Sequence, residues 1–353
     1  MSIMTYIGNQ GNILAETPEH ARLVKMTRPV LTDDEMTRIR NIPDFPAKTF
    51  SMCVGERGTE NGEPGWLKSA LDKLAADALE AVRGGAKIII LSDRGGVRHE
   101  TIDEATGLAS NASRQSRIPS LLAVAAVNKA LAEAGVRPSV GIIVESGEVI
   151  EVHHFAVLLG FGATAINPWL ALAMVSEIGK ADAVKAASNY VTAVCKGIMK
   201  IMSKMGISTL RSYRSARIFE AVGLGPKLMG EYFGGVTSPV GGLELEDIEN
   251  LIEGVRGNPG SPGSCPPGGE YRARKGGEEH LWNPQRLIDF REAVRHNDYA
   301  RFKRYTDDID QHSRVTLRSQ LDFIHVEHAE HEKPSSPDCP ASIHVCTVCC
   351  CCC

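Results

Sequence analysis

Hydrophobic positions change period along this chain, and the changes divide it into elements. Residues 66–82 place Leu67, Leu71, Leu74, Ala75, Ala78, Leu79 and Val82 at helical spacing, and Gly84-Gly85 stops the run. "AKIIILSDR" follows, a short apolar β-branched run that predicts a buried strand over 87–92 ending in Ser92, Asp93 and Arg94. The alternation then repeats. Pro119 opens a helix with Ile118, Leu121, Leu122 and Ala125 on one face, and "VGIIVES" predicts a strand over 140–145. Val152, Phe155 and Leu159 form the next helical stripe, and "ATAINP" predicts a strand over 163–167. Strand, helix, strand, helix, strand at short intervals implies parallel strands with crossover helices.

Upstream, Thr32-Asp33-Asp34-Glu35 reads as a capping box opening a short helix through Met36 and Ile39, and Lys48 to Val54 as a strand. Residues 95–117 are polar and loop-like. Downstream, Tyr190, Val194, Ile198, Ile201, Met202 and Met205 line one face of a long helix that Gly206 ends. "STLRSYRSARIFEAVG" reads as a further helix stopped by Gly223, and "LELEDIENLIEG" as another. "GNPGSPGSCPPGG" forms neither helix nor strand and reads as a linker over 257–270. A polar, helix-prone stretch runs from 271 to about Phe323. No internal repeat is present.

Composition narrows the class. With 353 residues and 43% hydrophobic content, the chain can bury a large core. A net charge of -4 gives no reason to expect nucleic-acid or polybasic membrane binding. No apolar run approaches the ~20 residues of a membrane span, and the start lacks a secretory pattern. The expected location is cytoplasmic, with an organelle left open. Of ten cysteines, six fall within 346–353, and the body holds Cys53, Cys195 and Cys265 far apart, as in a reducing compartment.

Several stretches together resemble one family: "YIGNQGNILAETPEHARLVKMTRPVLTDDE", "ILSDR", "IPSLLAVAAVNKAL", "EVHHFAVLLGFGATAINPWLA" and "KGIMKIMSKMGISTLRSYRSARIFEAVGL". They are similar to the central domain of the glutamate synthase large (alpha) chain. "GGEYRARKGGEEHLWNP" resembles the beginning of its FMN-binding domain, so the likeness spans about residues 5–323. The resemblance implies an α/β fold, an incomplete parallel (β/α) barrel-like central domain over 1–256, with a helical C-terminal extension. It also implies a truncated start of the FMN-binding domain over 271–323 that does not stand as an independent domain. The parent family makes glutamate from glutamine and 2-oxoglutarate, tunnelling ammonia to a flavin barrel with an iron–sulfur cluster. In this chain the resemblance implies a scaffold whose partners are the amidotransferase and FMN domains. The family's cysteine nucleophile and flavin-binding strands have no counterpart here. No FMN, iron–sulfur cluster or catalytic residue is therefore expected within the chain, which is expected to be inactive alone. Residues 324–353 match nothing in the family and read as a non-native, disordered Cys-rich tail. The alternative class is a free-standing, non-catalytic α/β interaction module.

Four local features invite chemistry. Gly160-Phe161-Gly162-Ala163-Thr164-Ala165 approaches a dinucleotide fingerprint, but it lies between a helix and a strand, the reverse of the required order. The preferred reading is a helix stop. Adjacent His153 and His154 point about 100° apart on a helix and do not readily share a metal. One is expected to pack or hydrogen-bond and the other to meet solvent. Asp93, Arg94, Glu145 and Asn167 each follow a strand's carboxyl end, where α/β barrels carry functional groups. They read either as a polar face bordering the tunnel or flavin domain or, preferred, as ion pairs and caps. Arg211, Arg214 and Arg217 read as a stripe on one helix, a solvated or ion-pairing face in preference to a phosphate or RNA site. Cys346 and Cys349 with His344 suggest soft-metal binding, but no second well-spaced pair supports it.

Overall fold

The computed structural model describes residues 1–8, 14–15, 17–54, 65–94, 116–257, 268–269 and 272–312. The chain divides into two compact units, Met1–Pro259 and Gly260–Cys353.

The first unit is α/β. Its early elements are β1 (Thr5–Ile7), β2 (Val24–Met26), α1 (Asp33–Arg40), β3 (Ala47–Ser51), β4 (Cys53–Val54), α2 (Trp66–Arg83) and β5 (Ile88–Ser92). Next come β6 (Ser116–Arg117), α3 (Ser120–Glu133), β7 (Gly141–Glu145), α4 (Val152–Gly160), β8 (Ala165–Asn167), α5 (Trp169–Gly179) and α6 (Ala183–Lys204). The unit closes with α7 (Leu210–Tyr213), β9 (Glu220–Leu224), α8 (Pro226–Tyr232), β10 (Thr237–Leu243) and α9 (Leu245–Gly257).

The main sheet has the order β3-β5-β7-β8, and every pairing is parallel. The three strands expected from their apolar runs are therefore all present and parallel, with ends shifted by one or two residues. Beyond β8, Val30 bridges Ile166, fixed by Leu31 N–H donating to Ile166 O (2.9 Å) and Ile166 N–H donating to Pro29 O (2.8 Å).

Both faces of the sheet are covered, which explains why its strands read as continuous apolar runs. Ile89, Leu91, Ile142, Val144 and Ile166 pack with α2, α3 and α4 in the larger core. Ile88, Ile90, Ile143 and Ala165 face a smaller core with Ile7, Met26, Met36 and Ile39. The second cluster brings α1 against the sheet, so both ends of α1 reach the last row of the strands.

The α1 capping box is present: Glu35 N–H donates to Thr32 Oγ1 and Thr32 N–H donates to Glu35 Oε2 at 2.8 Å. Three later helix starts take a glutamate from a distant point in the chain. Glu249 accepts from Gly65 and Leu67 N–H at α2, Glu148 from Ser120 N–H at α3, and Glu244 from Lys227 and Leu228 N–H at α8. Each satisfies orphan donors and complements the positive helix end.

One expected helix is absent. In "STLRSYRSARIFEAVG" only Leu210–Tyr213 is helical, and residues 220–224 form β9, parallel to β10. Ser215 (φ 61°) and Arg217 (φ 51°) adopt left-handed backbone, which ends the helix. Bonds from Ser215 N–H to Leu159 O and from Arg217 N–H to Gly160 O tie this turn to the end of α4. Tertiary contact thus overrides local helix spacing.

In the second unit, α10 (Pro284–His296) and α11 (Tyr299–His312) form a helical hairpin around Arg286. Arg286 is 3% exposed and donates to Asp308 Oδ2 (2.5 Å), His280 O and Leu281 O. Asn283 caps α10, and Asn297, at φ 50°, ends it. Residues 313–353, including His344, Cys346, Cys349 and the expected tail, lie outside the described residues, as does most of the 257–270 linker.

Candidate functional site

The carboxyl edge of the parallel sheet carries one polar row. Ser51 pairs with Ser92, Ser92 with Glu145, and Glu145 with Asn167, so the four side chains stand on one face at one level. Phe50, Leu91, Val144 and Ile166 occupy the preceding row, and that change from apolar to polar marks the strand ends.

Glu145 is 1% exposed. Its Oε2 accepts from Ser92 Oγ (2.5 Å) and from Arg40 Nη2 (2.7 Å), at the far end of α1. Arg94 Nη1 lies 3.6 Å from Glu145 Oε1, a charge contact beyond hydrogen-bond reach. Arg94 Nη2 donates to Asp33 Oδ2 (3.0 Å), and Asn167 Nδ2 donates to Asp33 Oδ1 (3.0 Å) and Leu31 O. The hydrogen bond to Asp33 is the main reason Arg94 holds its proton above the ordinary guanidinium range. Asp93 turns the other way and accepts from Ser146 Oγ (2.7 Å), Gly147 N–H and Trp169 Nε1 (2.6 Å). The Arg94 guanidinium lies 5.7 Å from the Trp169 ring centroid, within cation–π reach.

Of the four strand-end residues expected from the sequence, Arg94, Glu145 and Asn167 join one network with Asp33 and Arg40, while the Asp93 carboxylate is held separately by Ser146, Gly147 and Trp169. Sequence reasoning did not find Arg40, Ser92, Asp33, Ser146 or Trp169 as partners. Arg40 is 105 residues from Glu145 along the chain, and no local spacing signals such a pair. Among the described residues, Glu145 Oε1 and Asn167 Oδ1, on register-paired positions, are buried acceptors without a hydrogen-bond partner.

A flavin phosphate needs unengaged backbone N–H groups and cations. Here Asp93 holds the Gly147 N–H, and carboxylates hold Arg40 and Arg94. Among the described residues of this edge, these donors are therefore already engaged. Cys53 and Cys195 sit on different elements, and no group of three His, Cys, Asp or Glu side chains among the described residues is placed to hold a metal. Cys195 lines a cavity of about 300 Å³ with Thr27, Arg28, Thr192 and Lys196. Burial pushes its thiol up, which suppresses the thiolate.

The remaining candidates have structural explanations. The glycine pattern at 160–165 runs from α4 into β8, so the helix-stop reading holds. Gly162 has φ 121°, and a Cβ there would lie 2.6 Å from Asn128 Oδ1. His154 Nδ1 accepts from Ile150 and Glu151 N–H at the start of α4, while His153 meets Phe219 edge-on at 6.0 Å. Both histidines are exposed. The three arginines share no helix: Arg211 lies in α7, Arg214 donates to Thr164 Oγ1, and Arg217 donates to Gly234 O. The expected stripe is thus broken by the left-handed turn at Ser215 and Arg217.

Fold and site together define an α/β domain with a parallel sheet whose carboxyl-end polar groups are largely engaged with one another. The family model described as glutamate synthase central domain matches residues 1–225, and the chain belongs to that family. It is 35% identical over 332 residues to the glutamate synthase [NADPH] large chain of Bacillus subtilis (strain 168), covering 91% of this chain and 20% of that relative. It is 34% identical over 330 residues to the corresponding chain of Azospirillum brasilense, with coverage of 91% and 20%. Ferredoxin-dependent glutamate synthase 2 of Synechocystis sp. is 36% identical over 313 residues, with coverage of 83% and 19%. The chain thus spans about a fifth of the length of the curated relatives it matches. A flavocytochrome b2 mutant with benzoylformate has 16% identity and a TM-score of 0.30, covering 40% of this chain and 31% of that one; the likeness carries no argument. No helix among the described residues is long and apolar enough to cross a membrane.

Proposed function

We propose that this chain serves as the central scaffold segment of a glutamate synthase, joining amidotransferase and FMN-binding portions of an enzyme that makes glutamate from glutamine and 2-oxoglutarate. The observation that carries this reading is the self-engaged strand edge. Barrel enzymes place reactive groups there, with donors left to meet a ligand. Here Glu145, Asp33, Arg40 and Arg94 neutralise one another, and Asp93 is held by three donors. Its two hydroxyl–carboxylate pairs, Ser92 with Glu145 and Ser146 with Asp93, are buried, and each carboxylate is also held by further donors. The edge then fixes α1 against the ends of β5, β7 and β8. Membership of the central-domain family and the span of about a fifth of the relatives agree with a part that works inside a longer chain.

On this reading the purified chain neither retains FMN nor turns over substrate. The chain is mixed with FMN, passed through gel filtration and examined at the flavin absorbance bands, with glutaminase and 2-oxoglutarate-dependent glutamate formation assayed in the same preparation. The reading expects no bound flavin and no turnover above a denatured control. Stoichiometric flavin or measurable turnover would overturn it.

A further inference from the structure

Charge is arranged differently at the opposite edge of the sheet, where β7 and β8 begin. Arg137, four residues past α3, donates through Nε to Asn128 Oδ1, through Nη1 to Val140 O (2.8 Å) and through Nη2 to Gly162 O (2.6 Å). Arg214 arrives from the segment after α7 and donates through Nη1 to Thr164 Oγ1 (3.2 Å). Thr164 N–H donates to Ile142 O (2.6 Å); both arginines thus bond residues just ahead of β8, and Arg137 also bonds the residue just ahead of β7.

Every acceptor in this arrangement is neutral. Among the described residues neither Arg137 nor Arg214 forms an ion pair, whereas Arg28, Arg40, Arg94, Arg286 and Arg301 all do. The ends of α3 and α4 lie near this edge in the chain, but a helix carboxyl terminus offers only about half a negative charge. Two guanidiniums carry two positive charges. Burial and then the charge of Arg214 weaken the hold of Arg137 on its proton; burial and then Arg211 do the same to Arg214. Arg214 also has capacity to spare. Among the described residues one of its nitrogens is engaged, and none of the others is sealed from solvent without a partner.

We propose that Arg137 and Arg214 form a binding site for a small oxyanion, a phosphate or carboxylate group, at the amino edge of the sheet. The guanidinium fork matches either group through paired N–H donors, and an anion there removes the like-charge repulsion. The site is independent of the scaffold reading and stands or falls separately.

The test is thermal unfolding of the purified chain at fixed ionic strength, with chloride replaced stepwise by inorganic phosphate and, in a second arm, by acetate. A saturable rise in Tm with phosphate, and at least a tenfold weaker apparent affinity in Arg214→Gln, is the expected result. Arg22→Gln, at an exposed ion pair elsewhere, keeps the parent affinity. Saturation by acetate as well, lost in the same variant, assigns the site to carboxylates in general; saturation by phosphate alone assigns it to phosphate. Equal Tm in chloride, phosphate and acetate overturns the proposal, as does an Arg214→Gln protein that binds as tightly as the parent. If that variant does not fold, the anion comparison on the unsubstituted chain decides alone.

Discussion

At the carboxyl edge of the sheet, two arginines meet two carboxylates, and a third carboxylate is held by a hydroxyl, a backbone amide and an indole. At the amino edge, two arginines meet, among the described residues, only carbonyls, an amide oxygen and a hydroxyl. The same strands connect both. The carboxyl edge is where an α/β fold usually carries chemistry, yet its charges are matched inside the protein. The amino edge, usually left to stability, holds the unmatched charge. Position along a strand shows where a site can form. Whether one forms depends on the balance of partners around it.

The largest expected effect tests the matched edge. Glu145→Ala removes a carboxylate that is 1% exposed and leaves Ser92 and Arg40 without their acceptor. Breaking a buried pair costs about 3–5 kcal/mol, and the partial exposure of Arg40 and Arg94 places this case near the lower end, about 3 kcal/mol. The urea midpoint measures it, and a loss under about 1 kcal/mol would make the network incidental.

Gly162→Ala sharpens the other side. The position combines φ 121° with a Cβ clash against Asn128, the residue that Arg137 grips. A loss of about 1–3 kcal/mol is expected. Gly135→Ala supplies the contrast, since its φ is 71° but a Cβ there meets nothing within 4 Å. It should lose only about 1 kcal/mol, and equal losses at both positions would remove the packing part of the argument.

Tyr213 is fully buried, and its hydroxyl donates to Ala156 O at 3.2 Å. Burial pushes its phenol up to about 12. The folded state therefore keeps the proton longer than the unfolded chain, whose phenol titrates near its ordinary value of about 10. The associated stability is complete below about pH 10 and is lost as pH rises toward about 12. Tyr213→Phe should cost about 1 kcal/mol at neutral pH and reduce the alkaline loss. An unchanged alkaline slope would count against a buried, proton-holding Tyr213. The smallest effect is expected at Arg22→Ala, an ion pair with both side chains over 60% exposed, where the change should stay within about 0.5 kcal/mol.

Much of the fold was legible because its signals are local. Three apolar runs gave β5, β7 and β8, helical spacing gave α2, α3, α4 and the long α6, and Thr32 with Glu35 marked the start of α1. The same local reasoning failed at residues 214–224. There a helix-like spacing gives way to left-handed turns at Ser215 and Arg217 that exist because α4 ends beside them. The carboxyl-edge residues Asp93, Arg94, Glu145 and Asn167 were legible as strand-end polar groups. Arg40 was not, because its partner Glu145 lies 105 residues away along the chain. Arg137 was invisible too: its role rests on Asn128, Val140 and Gly162, which meet only in the fold.

The central claim is that the carboxyl edge is a structural lock between α1 and the sheet. A double-mutant cycle on Arg40 and Glu145 tests it most directly, with urea unfolding of the parent, Arg40→Gln, Glu145→Gln and the double variant. The account expects a coupling of about 1–3 kcal/mol, the double variant losing far less than the sum of the singles. Additivity within about 0.3 kcal/mol would contradict it.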